Sequence, residues 1–249
     1  NIQSAPTADA GFDQNICITG SVQLNGSGGT TYSWSPAASL DDATIPNPMA
    51  SPATSTTYYL TVTDAIGCMD TDSVLVTVSP NAIIIAGPDT IVCQGEPVNL
   101  FAFGGDTYTW SPTTGLNDPN IANPTYDGSA DQTFTITGTD AFGCTGSATV
   151  TITTQTAPVV DAGPDFIINI GESVVLQGNA ADPIFWSPDS TLDNPLILNP
   201  TANPLATTVY TIIATTSAGC SSSDDMLVTV LEPLNVMIPN AFSPQWRWR

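Results

Sequence analysis

The chain has 249 residues, with 23 acidic side chains, two cationic ones and no His, for a formal net charge of −21. The two cations are Arg247 and Arg249, so residues 1–246 exclude Lys/Arg ion pairs and a Lys–Asn isopeptide staple. Nothing there neutralises phosphate, which makes nucleic acid and anionic membrane surfaces poor partners, whereas divalent cations remain natural ones.

Each element is written three times. Trp-Ser-Pro occurs at Trp34, Trp110 and Trp186, 76 residues apart, with Asn-Pro and Gly-Cys repeating in the same register. A fixed period of this kind identifies an array. It divides the chain into repeats over 5–80, 81–156 and 157–232, followed by a tail over 233–249. Every repeat opens on an acidic turn segment (Asp9–Asp13, Ala86–Asp89, Asp161–Asp165), followed by a short apolar strand such as Val22-Gln-Leu24. The Trp strand comes next, with Tyr32 and Trp34 alternating with polar neighbours in the period-two pattern of a half-buried strand. A Pro/Asn/Asp-rich crossover leads to the strongest alternation, Tyr58, Leu60 and Val62, and a tight turn at Gly67 opens the last strand, Val74–Val78. No stretch has helical periodicity, and the abundance of Thr, Ser and Val points to strands. About seven short strands per repeat predict an all-β array of three tandem β-sandwiches with Trp34, Trp110 and Trp186 as core anchors. The short connectors, each with one Pro, predict a stiff rod.

Cys17 and Cys68 are 51 residues apart, and so are Cys93 and Cys144. This spacing suggests one disulfide inside each of the first two repeats and an oxidising, extracellular compartment. The other reading is buried free thiols. The third repeat has Asn169 where the partner of Cys220 would stand, so Cys220 is expected to be unpaired.

Carboxylates recur at Asp13, Asp89 and Asp165 and at Asp64 and Asp140, where the third repeat has Thr216; Asp106 stands in a loop of the second repeat. Asp and Asn hydrogen-bond their own backbone in tight turns. The same oxygens suit Ca2+, the one cofactor the sequence suggests, with Asp89, Asp106 and Asp140 expected to gather at a repeat boundary. Catalysis is not expected, since neither His nor Lys is present to activate Ser or Cys. No apolar run approaches the ~20 residues that cross a bilayer, so no direct membrane insertion is expected. The start at Asn1, without Met or a leader-like stretch, reads as a processed product or a piece of a longer protein.

The segments Tyr32–Pro36, Thr61–Cys68 and Asp72–Val78 resemble the PKD-like, immunoglobulin-like repeats of giant Bacteroidota surface proteins. Trp-Ser-Pro departs from the Trp-Asp-Phe-Gly-Asp-Gly-like stretch of true PKD domains. Val236–Pro244 is similar to the opening of the C-terminal sorting domain of gliding-motility-associated, type IX-secreted proteins, but the chain continues as Gln245-Trp-Arg-Trp-Arg249. The resemblance implies immunoglobulin-like sandwiches in a structural stalk or filament at the cell surface. Its partners would be other repeats or copies of the same assembly, joined by donor-strand exchange or an intermolecular bond through Cys220. A glycan- or protein-binding adhesin with sites in the sandwich loops is the alternative. Most aromatics alternate inward, and the outward or loop residues Phe12, Tyr59 and Phe142 do not recur in all copies.

Overall fold

The structure, a computed structural model, describes residues 5–181 and 183–233; the sorting-type segment and the Arg-containing tail lie outside them. The first repeat contains β1 (Gln14–Cys17), β2 (Val22–Gln23), β3 (Thr31–Ser35), β4 (Met49–Ala50), β5 (Thr56–Thr63) and β6 (Met69–Ser79). The second contains β7 (Ile85–Ala86), β8 (Thr90–Cys93), β9 (Val98–Asn99), β10 (Ala102–Phe103), β11 (Thr107–Ser111), β12 (Thr125–Tyr126), β13 (Gln132–Thr139) and β14 (Thr145–Gln155). The third contains β15 (Val160–Asp161), β16 (Phe166–Asn169), β17 (Val174–Val175), β18 (Asn179–Ala180), β19 (Ile184–Ser187), β20 (Thr201–Ala202), β21 (Thr208–Thr215) and β22 (Ser221–Leu231).

One four-stranded sheet recurs in each repeat, ordered β1-β6-β5-β3, β8-β14-β13-β11 and β16-β22-β21-β19. Short pairs such as β2–β4 and β9–β12 form the opposite layer. Alternation along the long strands makes this a sandwich: Tyr58, Leu60 and Val62 of β5 and Val74 and Val76 of β6 point inward and are buried. They meet Ala10, Leu24 and Ala50 from the other layer. Trp34, Trp110 and Trp186 are all buried, each side chain of this kind contributing roughly 2–3 kcal/mol of apolar burial. The indole N–H of Trp34 donates to the Ile45 carbonyl (3.1 Å) and that of Trp110 to Ile121 (2.9 Å). The strand that opens each repeat serves both layers. Asp9 bridges Ser27, β7 pairs with β10 and β15 with β18, after which the chain crosses to the edge of the large sheet. In the first and third repeats it runs parallel to the last strand.

The chain divides into two compact units, one made of Asn1–Thr90 and Gly95–Thr153, the other of Ile91–Gln94 and Thr154–Arg249. The first holds the first repeat and most of the second. The second holds the third repeat together with the end of β8, which carries Cys93.

Candidate functional site

The positions of the cysteines follow from the direction of the opening strand. In the first repeat the amides of Ala8 and Ala10 donate to the carboxylates of Asp70 and Asp72, and Asp13 accepts from the Leu75 amide. Register continues from Gln14 opposite Val76 to Cys17 opposite Ser79. The segment thus follows β6 in a single direction and leaves Cys17 beside the end of β6, while Cys68 stands just before its first residue. A strand as long as β6 spans about 33 Å at its usual rise. A disulfide needs its Cα atoms within about 7 Å. Cys17–Cys68 pairing inside a repeat is therefore impossible, and the same construction rules out Cys93–Cys144.

Both bonds instead join one repeat to the next. Cys17 is bonded to Cys144 and Cys93 to Cys220, with Cα–Cα distances of 5.4 and 5.5 Å and a sequence separation of 127 residues in each. Cys220, expected to be unpaired, is bonded, and Cys68, expected to be bonded, is the free thiol. The connector explains the reach. Ser79 ends β6 beside Cys17, and three residues later the Ala82 carbonyl passes so close to Gly146 that a Cβ there would meet its oxygen at 1.9 Å. Gly146 follows Cys144 by two residues, so the chain leaving the first repeat is threaded past the turn that bears the partner cysteine. In the second unit the Gln94 amide donates to the Gln155 carbonyl (2.9 Å), and the Ala218 amide donates to Oε1 of Gln155 (3.2 Å).

The receiving turn is built the same way in each copy. Oδ1 of Asp64 accepts from the amides of Ile66 and Cys68, and Oδ1 of Asp140 accepts from those of Phe142 and Cys144. In the third repeat the Thr216 hydroxyl accepts from the Cys220 amide (3.1 Å). Gly67, Gly143 and Gly219 close the turns with φ of 88°, 82° and 86°, a region that glycine enters freely.

The proposed Ca2+ ligands are placed by the same geometry. Asp13, Asp89 and Asp165 each accept an amide of the last strand, from Leu75, Thr151 and Leu227. Asp89 therefore lies beside Thr151, about 20 Å along β14 from the turn held by Asp140. The Asp106 amide donates to the Thr139 carbonyl. Asp89, Asp106 and Asp140 do not gather: among the described residues no group of three or more potential metal donors is assembled. The crossover has a further test of charge. Asp41, Asn117 and Asp193 make the same bond, to the amides of Met49, Thr125 and Thr201, so a neutral amide oxygen serves as well as a carboxylate. The amide of Thr201 holds the Asp193 carboxyl below its usual range, and the hydroxyl and amide of Thr44 do the same for Asp42.

A cavity of about 100 Å3 lies in the second repeat between Pro88, Val98, Phe101, Val150 and Ile152. Ligand pockets usually have about 300–1,000 Å3.

No protein-family profile and no curated protein matches the chain. Among solved structures, the titin I-band fragment I67–I69 is similar with a TM-score of 0.50 and 14% identity, over 92% of this chain and 99% of that one. The fold is immunoglobulin-like. Three such domains stand in tandem. The insect immune protein hemolin, described as having implications for homophilic adhesion, also matches, with a TM-score of 0.35 and 12% identity over 91% of this chain and 76% of that one. The two disulfides place this immunoglobulin-like array in an oxidising compartment.

Proposed function

We propose that the chain is a non-catalytic, extracellular structural array that resists extension, part of a bacterial surface protein of the Bacteroidota, type IX-secreted kind that its sequence resembles. Bonding between successive repeats carries this reading. A tensile load that enters at Cys17 and leaves at Cys220 need not follow the backbone. It crosses to Cys144, runs back along the chain to Cys93 and crosses to Cys220. The covalent path is then the 51 residues from 93 to 144, against 203 residues from 17 to 220. At full extension these correspond to about 180 and 700 Å. The rest of the first and third repeats between those cysteines lies in side branches that the load does not stretch.

Such a design suits a stalk or filament that holds a surface in place. It needs no ion pair, which agrees with a sequence lacking Lys and lacking Arg before Arg247. Single-molecule stretching tests it. With handles at the two termini, the oxidised chain should release roughly a quarter of the Cys17-to-Cys220 length that it releases in reductant. Equal lengths in both states would refute the interlocked array.

A further inference from the structure

Cys68 occupies the same turn position as Cys144 and Cys220, both of which are bonded to a cysteine ending the opening strand of the repeat before. Its turn already has the geometry of the bonded ones. The Cys68 amide lies 2.9 Å from Oδ1 of Asp64, as the Cys144 amide does from Asp140. The return bond from the residue-64 amide to the Cys68 carbonyl is 3.0 Å, matching that from Asp140 to Cys144. What differs is cover. Cys144 and Cys220 are buried, with 0% and 2% exposure, whereas Cys68 is half-buried. The flanks do not differ, Ile66 being 60% exposed and its counterpart Phe142 63%, so the missing cover is at the cysteine itself.

We infer that Cys68 is the receiving half of a third inter-repeat disulfide, whose partner is an immunoglobulin-like repeat outside these 249 residues with a cysteine at the end of its opening strand. The partner cannot come from this chain. Cys17 and Cys93 are already bonded, and the third equivalent position is Asn169, whose amide and side-chain N–H groups donate to Glu172. A second copy placed head to tail has no thiol to offer there, so the partner is a distinct repeat of the same plan. Bond formation balances as thiol–disulfide exchange with an oxidised dithiol donor. The partner cysteine first displaces one donor sulfur and forms a mixed disulfide. The Cys68 thiolate then attacks the partner's sulfur, the S–S bond to the donor breaks, and the donor leaves as a dithiol carrying the two electrons and two protons of the original thiols.

The inference rests on the reading of the chain as an interlocked array, and the test separates the two. A copy of residues 5–80 is joined directly ahead of residue 5, in place of residues 1–4, which preserves the 76-residue period. The protein is oxidised with a disulfide donor, labelled with maleimide while folded, and digested without reductant. In the original chain Cys68 should take the label. In the extended chain Cys68 should be bonded to the added cysteine equivalent to Cys17, with the label moved to the added equivalent of Cys68. Changing the added cysteine to Ser should return the label to Cys68. A label that stays on Cys68 in the extended chain, or a Cys68–Cys68 bond between two chains, overturns the inference. The Cys17–Cys144 peptide in the same digest reports on the array reading independently.

Discussion

Asp140 holds two amides at once, those of Phe142 and Cys144, and thereby fixes the direction in which the cysteine leaves its turn. Asp64 does the same, and Thr216 does half of it with a hydroxyl. The substitution of Asp by Thr indicates that the oxygen matters more than its charge. Asp140→Asn, which keeps an acceptor, should therefore cost little, whereas Asp140→Ala should destabilise the second repeat by about 2 kcal/mol. Denaturant midpoints of the two variants check this, and equal losses would assign the role to charge instead. Turn chemistry at these positions is readable from the sequence, because Asp and Asn at recurring turns have a local explanation. The Ca2+ reading required Asp89 and Asp140 to share one end of a sandwich. Residue types alone do not carry that information, since it depends on how far along β14 each is held.

The elements were largely readable in advance. Alternation placed Tyr58, Leu60 and Val62 inside, and the recurring Trp inside with them, because a half-buried strand admits only one face to the core. Cysteine pairing was not readable from spacing. The 51-residue interval is the same whether the opening strand runs toward the Gly-Cys turn or away from it, and only parallel pairing with the last strand decides. One leftover thiol is expected under either scheme, so the odd cysteine count does not discriminate. The consequence for stability is specific. Closing a 127-residue loop stabilises by about 5 kcal/mol in the chain-entropy model. Cys17→Ser, Cys144→Ser and the double variant should lose about the same amount, since each breaks the same bond. Additive losses in equilibrium unfolding would mean that the two residues act separately.

At the scale of the whole chain, five cysteines make two bonds that overlap along the sequence, with a free receiving position at Cys68 and a blank donating position at Asn169. The array is held together by this offset and by apolar cores, in a molecule with a net charge of −21 and no cation before Arg247. That composition also decides how the offset is measured. Trypsin finds no site before Arg247, but cleavage ahead of aspartate puts each cysteine in its own peptide: 13–40, 64–69, 89–105, 140–160 and 193–223. Mass analysis of the unreduced digest of oxidised protein should find 13–40 linked to 140–160, 89–105 linked to 193–223, and 64–69 free. Finding 13–40 linked to 64–69 and 89–105 linked to 140–160 would contradict the account, because each repeat would then be closed on itself and the load would have to follow the backbone.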